Sequence, residues 1–285
     1  MSDKSLDRHN YYLPLVALLD TLPSSGLSGV TFDLWETLFL DIPELDRHRD
    51  MLRCKGLQNV LRKHEIDVPF DELTRGLDES STWLVNIWRT GEQVPTQGQI
   101  RYIIESATKK KYAVPREAMK ELEEAYVSPG LVTPPAVNVE TGPVLLELRT
   151  RGYKIGLICN TGRGPGRIMR QLLASSGILG YFDSTLFSDE VGHGKPDRRI
   201  FIAAAKELGL PINEILHVGD NPQTDVRGAK QAGMNAVLFD YIVPSGFNER
   251  SASLFALTRA LGEGDSDVVA DARIKSLREV LSLLP

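Results

Sequence analysis

Short apolar segments and longer amphipathic ones alternate along this chain, and the alternation predicts most of its elements. Gly29 to Phe32 reads GVTF and ends at Asp33. An uninterrupted apolar run rich in β-formers predicts a buried strand, here with a carboxylate at its C-terminal tip. From about residue 41 to 132 the period changes. Leu57, Val60 and Leu61, then Leu84, Ile87 and Trp88, then Ile100, Ile103 and Ile104 recur at helical spacing. The breaker-rich stretch from Ser128 to Pro135 closes this block as a return linker. Beyond it, helices over about 141–151, 164–175, 198–208 and 224–232 alternate with strands over 154–158, 185–187, 215–218 and 236–239. Strands of this length separated by such helices predict βαβ units and a parallel sheet covered on both faces.

The predicted fold class is therefore α/β: a doubly wound parallel sheet formed by residues 28–40 and 135–285, interrupted after its first strand by a helical cap domain over 41–134. Residues 1–27 read as an N-terminal extension, with helical spacing from Tyr11 to Leu22. Tyr241 to Asp267 holds one short helical pattern among Ser, Gly and Glu punctuation, and Ala270 to Leu284 is expected to form a closing amphipathic helix.

Composition narrows the function. With 285 residues and 42% hydrophobic content the chain can bury a sizeable core without metal or disulfide staples. Thirty-three Lys and Arg against 38 Asp and Glu give a net charge of −5, so no global field attracts a polyanion and nucleic acid is not an expected partner. The apolar run Leu13 to Leu19 is interrupted by Pro14 and lacks a small-residue cleavage site. No segment reaches the roughly 18 apolar residues of a membrane helix, so no membrane partner is expected. Cys54 and Cys159, far apart and without CxxC spacing, suggest neither a disulfide framework nor a zinc site and fit a reducing cytoplasm.

Ligands of doubly wound sheets bind outside the carboxyl ends of the strands, which directs attention to Asp33, to Cys159, Asn160 and Thr161, to Lys195, and to Gly219 and Asp220. Two acids, a cation and small polar groups on one rim match what a magnesium ion and a phosphoryl group require. Each residue alone has an ordinary reading as a turn, cap or solvated side chain; four successive strand ends together are harder to dismiss. Here the sequence resembles the haloacid dehalogenase (HAD) superfamily. The four motifs occur in order as FDLWETLF (Phe32 to Phe39), GLICNTG (Gly156 to Gly162), GKPDRRIF (Gly194 to Phe201) and HVGDNPQTDVRGAKQAG (His217 to Gly233). The resemblance spans about residues 28–240, and the helical insertion matches the family's C1-type cap. It implies a hydrolase, most simply a Mg²⁺-dependent phosphatase acting on a small phosphorylated metabolite through an aspartyl-phosphate. Asp33 would be the nucleophile, assisted by Lys195. Asp33, the Trp35 carbonyl and Asp220 would hold the metal, with Asp225 in support or paired with Lys195. Trp35, Cys159, Asn160, Thr161 and Lys195 would contact the substrate.

Two departures bear on the chemistry. Most phosphatases of the family carry a second Asp two residues after the nucleophile to protonate the leaving oxygen; this chain has Trp35 there, and an indole cannot exchange a proton near neutral pH. Glu36, His48 and His64 are the candidate replacements, each also readable as a solvated side chain. The expected hydroxyl of the second motif falls on Cys159, a weaker donor, which Thr161 could replace if its loop turned inward. Haloacid dehalogenases of the same superfamily also lack the second Asp and often carry an aromatic there, so a 2-haloacid dehalogenase-like hydrolase is the enzymatic alternative, and a catalytically impaired scaffold with a binding role is another. Retained Asp220 and Asp225 favour phosphoryl chemistry. Gly162 to Gly166 lacks both phosphate-loop spacings and is expected to turn into a helix, with Arg163 a further candidate for substrate contact. Lys109 to Lys111 is expected to be a solvated helix end, and His193 a loop residue.

Overall fold

A computed structural model describes residues 26–88, 90, 92–241 and 269–285 of the chain. The helical patterns at Tyr11–Leu22 and within 242–267 lie outside the described residues.

The strands β1 (Gly29–Phe32), β2 (Phe39–Leu40) and β3 (Ala136–Val137) bracket five helices: α1 (Pro43–Lys63), α2 (Phe70–Trp88), α3 (Thr96–Ala107), α4 (Met119–Val127) and the single turn α5 (Pro129–Val132). There follow α6 (Thr141–Thr150), β4 (Lys154–Cys159), α7 (Gly166–Ser175), β5 (Ser184–Phe187), the turn α8 (Ser188–Val191), α9 (Arg198–Leu208), β6 (Ile215–Gly219), α10 (Gly228–Ala232), β7 (Asn235–Phe239) and β8 (Ala272–Ile274). Six strands form one sheet in the order β5-β4-β1-β6-β7-β8, with every neighbouring pair parallel. The chain moves outward from β1 to β4 and β5 on one side and from β6 to β7 and β8 on the other. The carboxyl ends of β1, β4 and β6 therefore meet at the switch point where such sheets bind ligands.

Alternation along the strands feeds two cores. Ile155, Leu157 and Cys159 join Val30, Phe32 and Val218 under α6 and α7, whereas Ile158 packs with Ile200, Phe201 and Ala204 of α9. The helical block extends the first core through Leu57, Leu61, Leu73, Leu77, Ile103, Leu122 and Tyr126. At Gly76 a β-carbon would stand 2.5 Å from the Ile103 carbonyl oxygen, so glycine is what lets α2 approach α3. The two chain crossings at this block pair as the antiparallel β2–β3 ribbon. Buried Arg49 ties them together by pairing with Asp41 and donating from Nη1 to the Thr133 carbonyl at 3.1 Å. Among the described residues no helix is long and apolar enough to cross a membrane.

The C-terminal segment differs from its sequence pattern. Instead of one amphipathic helix over 270–284, Ala272–Ile274 adds an edge strand beside β7, and Leu277–Ser282 forms a 3₁₀ turn opened by a Ser276–Glu279 capping box. The apolar set that suggested a helix, Ile274, Leu277, Val280 and Leu284, is buried, but the unpaired edge of β7 takes up the first part of the segment as strand. Likewise, the expected helix over 224–232 starts as a π-type turn, Pro222–Arg227, capped by the Asn221 side chain on the Gln223 and Thr224 amides and widened where the Val226 amide reaches the Asn221 carbonyl at 3.3 Å. The stretch 128–135, expected as a linker alone, holds α5.

Candidate active site

Asp33 follows β1 directly, its amide donating to the Val218 carbonyl at 2.9 Å, so the carboxylate emerges between β1 and β6. Lys195 lies on the loop before α9 and is 1% exposed. Asn160 holds that loop with both ends of its amide: Nδ2 donates to the Lys195 carbonyl at 2.8 Å and Oδ1 accepts from the Lys195 amide at 2.7 Å. The Lys195 Nζ then pairs with Asp33 and, at 2.6 Å, with Oδ1 of Asp225. Asp225 also accepts from the His217 ring at 3.2 Å and, through Oδ2, from the Asn221 amide at 2.9 Å. His217 reaches Thr31 on the other side, Nδ1 to Oγ1 at 2.9 Å.

Carboxylate oxygens of Asp33, Asp220 and Asp225 lie within 4.8 Å of one another. Hard oxygens in that grouping suit a cation such as Mg²⁺. Asp225 already meets three donors, Lys195, His217 and Asn221, which occupy both of its oxygens.

Electrostatics follow from burial. Burial pushes Asp33 up to about 6 against the opposing pull of Lys195, and Asp225 raises it further. Burial alone would lower Lys195, but the Asp225 and Asp33 carboxylates outweigh it and hold the ammonium charged above the usual lysine range. At Asp225 the Lys195 charge and the His217 hydrogen bond overcome burial and keep the carboxyl below its ordinary range. The site is thus an ion triad of two carboxylates on one ammonium, with a half-buried third acid, Asp220, beside it.

The remaining sequence candidates fall around this centre. The Cys159 thiol is fully buried, faces the Asn160 carbonyl at 3.4 Å, and is pushed far above the ordinary thiol range by burial and then by Asp33. The Thr161 hydroxyl meets Ser188 Oγ at 3.0 Å, and Ser188 donates onward to Gln93 of the helical block at 2.7 Å. The Trp35 ring is half-buried and edge-on to Phe39 at 6.3 Å. Glu36, buried, sits at φ 57°, while His48 is exposed on α1 and His64 caps its C-terminus. Gly166 begins α7 with its amide on the Asp189 carboxylate at 3.1 Å, so the glycine-rich stretch spends its helix N-terminus on the protein's own acid. Lys109 and Lys110 are exposed.

Arg163 differs from its expected role. Its guanidinium is buried inside the helical block, where Nη1 donates to Ser80 Oγ (3.1 Å) and Tyr126 Oη (2.9 Å), and Nη2 to the Leu77 carbonyl (3.1 Å) and Ser81 Oγ (2.7 Å). It fastens the loop after β4 to α2 and α4 rather than facing a ligand. Nothing local in the sequence marks this role, and nothing local marks a role for His217 within the fourth motif. The signal for His217 was its place opposite Thr31 on adjacent buried strands, which depends on a register that one sequence does not reveal.

Fold and site together define a doubly wound α/β protein with a carboxylate–lysine–carboxylate centre at its switch point. The chain belongs to the haloacid dehalogenase-like hydrolase family, whose signature matches residues 27–233. It is similar to a phosphoserine phosphatase of Thermus thermophilus, 35% identical over 164 residues, 58% of this chain and 57% of that protein. It is also similar to a glyceraldehyde 3-phosphate phosphatase of Methanopyrus kandleri, 38% identical over 95 residues, 33% of this chain and 40% of that protein. The chain thus spans a little over half the length of the first of these and less of the second. In fold it is similar to a 2-haloacid dehalogenase from Pseudomonas syringae, with a TM-score of 0.60 and 22% identity over 90% of this chain and 97% of that one.

Proposed function

We propose that this chain is a Mg²⁺-dependent phosphatase of small phosphorylated metabolites that works through a phosphoryl group carried on Asp33. The observation that carries the reading is the buried Asp33 carboxylate paired with the Lys195 ammonium and with the Asp220 carboxylate within 4.8 Å of it. A carboxylate cannot approach a phosphate dianion unless cations offset the accumulating charge. Asp33, Asp220 and the Trp35 carbonyl would hold the metal, a donor set of hard oxygens. When bound, Mg²⁺ supplies charge compensation and orients phosphoryl oxygens. An Asp33 oxygen attacks phosphorus, and the bond to the leaving oxygen breaks with its electron pair departing on that oxygen. Water then attacks phosphorus, the bond from phosphorus to the Asp33 oxygen breaks with its electron pair returning to the carboxylate, and the proton of the water passes to solvent as phosphate leaves. Lys195 stays charged throughout and neutralises the transferred group, with Asn160 acting through its grip on the Lys195 backbone. Cys159 and Thr161 flank the transferred group.

Residues 28–40 and 135–285 would form the core and 41–134 the lid. The β2–β3 ribbon and Arg49 support this division, since they tie the two crossings together. A lid of this size favours small substrates. The free buried thiols Cys54 and Cys159 suit a reducing cytoplasm. The phosphatase names of the similar proteins support the reaction class.

Trp35 favours a second reading, the 2-haloacid dehalogenase, because an aromatic residue there removes the proton donor that alkyl phosphates need. A panel of phosphorylated metabolites and 2-haloacids, assayed with and without Mg²⁺, decides between them. Phosphate release that requires Mg²⁺ is the expected result; metal-independent halide release would establish the dehalogenase, and no turnover on any substrate the inactive scaffold.

A further inference from the structure

We propose that His217 is a positioning residue for this reaction: held by Thr31 as one fixed tautomer, it donates to Asp225 and so keeps the Lys195 ammonium on Asp33.

The register of the sheet creates the contact. Thr31 of β1 lies directly opposite His217 of β6, and parallel neighbours in register project their side chains to the same face. On that face the imidazole is fully buried and stands edge-on to Phe201 at 5.2 Å. It bridges the Thr31 hydroxyl at 2.9 Å and Asp225 Oδ1 at 3.2 Å. Chemistry then fixes the protons. Asp225 receives the Lys195 ammonium on Oδ1 and the Asn221 amide on Oδ2, and an ionised carboxylate only accepts. The proton of the His217–Asp225 bond therefore sits on Nε2. Nδ1 of the neutral ring is left as an acceptor, and the Thr31 hydroxyl supplies it. Burial holds the imidazole below its ordinary pKa against the attraction of Asp225, which keeps the ring neutral.

Thr31, His217, Asp225, Lys195 and Asp33 thus form one buried chain of hydrogen bonds. Without the His217 donor, Oδ1 of Asp225 keeps only the lysine, and the carboxylate can turn about its Cβ–Cγ bond and carry the ammonium away from Asp33. Losing a hydrogen bond to a charged group is expected to cost on the order of tenfold in kcat. Substrate contacts are untouched, so KM should stay within about twofold, on the view that binding common to ground and transition states is unaltered.

Two experiments test this. The kinetic one rests on the phosphatase reading; the spectroscopic one does not. In protein labelled with ¹⁵N-histidine, the resonances lost in His217→Gln assign this ring among the five histidines. At neutral pH the proposal expects a protonated Nε2 and a bare Nδ1; a protonated Nδ1 overturns it whether or not any phosphate ester is hydrolysed. In aryl phosphate assays His217→Phe, which keeps the ring volume without a donor, should lose about tenfold in kcat. His217→Gln, whose amide reaches the Nε2 position, should recover most of it. Wild-type kcat in His217→Phe, or an equal loss in both variants, would overturn positioning, the second result showing a packing effect instead.

Discussion

A β-carbon on Gly219 would stand 2.3 Å from the carboxylate carbon of Asp225. β6 ends on glycine because the Asp225 carboxylate crosses its tip on the way to Lys195. Gly219→Ala must displace Asp225, at a stability cost of about 1–3 kcal/mol for overpacking. Phosphate release should fall by roughly 10² or more as the Lys195 ammonium loses its anchor. Thermal denaturation and an initial-rate assay on the same preparation measure both effects.

Arg163 spends four hydrogen bonds across the boundary between the β4 loop and the helical block. Arg163→Met should destabilise the protein by roughly 1–3 kcal/mol, because it removes four charge-assisted hydrogen bonds across this boundary, while the Ser80 and Ser81 hydroxyls keep the Leu77 carbonyl and the Tyr126 hydroxyl keeps Gln99. Arg163→Lys, with three donors at one point instead of a planar fork, should recover part of the loss. Urea denaturation gives the magnitude, and faster amide exchange in α2 and α4 would locate it.

Titration of Asp33 gives a signed expectation. In metal-free protein its pKa is pushed up to about 6 by burial, with Lys195 opposing and Asp225 reinforcing, while an unfolded Asp titrates near 3.9. Between these values the folded state holds a proton that the unfolded state has lost, so this group's contribution favours folding at low pH and declines as pH rises through about 6. Asp33→Asn lacks that decline. Its stability relative to wild type should rise by ~2–3 kcal/mol from about pH 4 to pH 6 and then level off. Asp225, held below its ordinary range, contributes stability that is lost only as pH falls below about 4, outside this window. Mg²⁺ should shift the comparison toward wild type by binding its native state. Denaturant titrations across this pH range, with and without Mg²⁺, provide the check.

The sheet and the acids and lysine at its rim are legible in the sequence because their signals are local. Runs such as GVTF and KIGLIC announce buried strands without reference to partners, and Asp33, Lys195 and Asp220 follow strands at positions where doubly wound sheets place ligands. What escaped reading depends on tertiary partners. β8 has three residues and exists because β7 offers an edge; β2 and β3 have two each and exist because the chain crosses the same boundary twice. Arg163 read as a substrate contact because a basic residue in a glycine-rich loop beside the site has that local appearance, whereas its acceptors lie more than 30 residues away in sequence. His217 gained meaning only with the β1–β6 register.

If the chain is the proposed phosphatase, Trp35 makes the leaving group the decisive substrate variable. With an indole at the position of the usual proton donor, an alkoxide must depart unprotonated. Phenolate, acyl and phosphoanhydride groups leave unaided. Activated phosphates should turn over faster than alkyl phosphates by about 10² to 10⁴, the usual worth of a positioned general acid. A plot of kcat/KM against leaving-group pKa should be steep for the natural sequence and shallower for Trp35→Asp. A flat plot for the natural sequence would mean that a donor is present, with Glu36, His48 and His64 the next residues to substitute.

The central claim, that Asp33 carries the phosphoryl group, is tested most directly by trapping it. A single turnover of an aryl phosphate with Mg²⁺, quenched in acid and digested, should yield the peptide around Asp33 bearing one phosphoryl group that hydroxylamine removes, and Asp33→Asn should yield none. Phosphate release that proceeds equally well in Asp33→Asn, or a phosphoryl group found on another residue, would contradict the account.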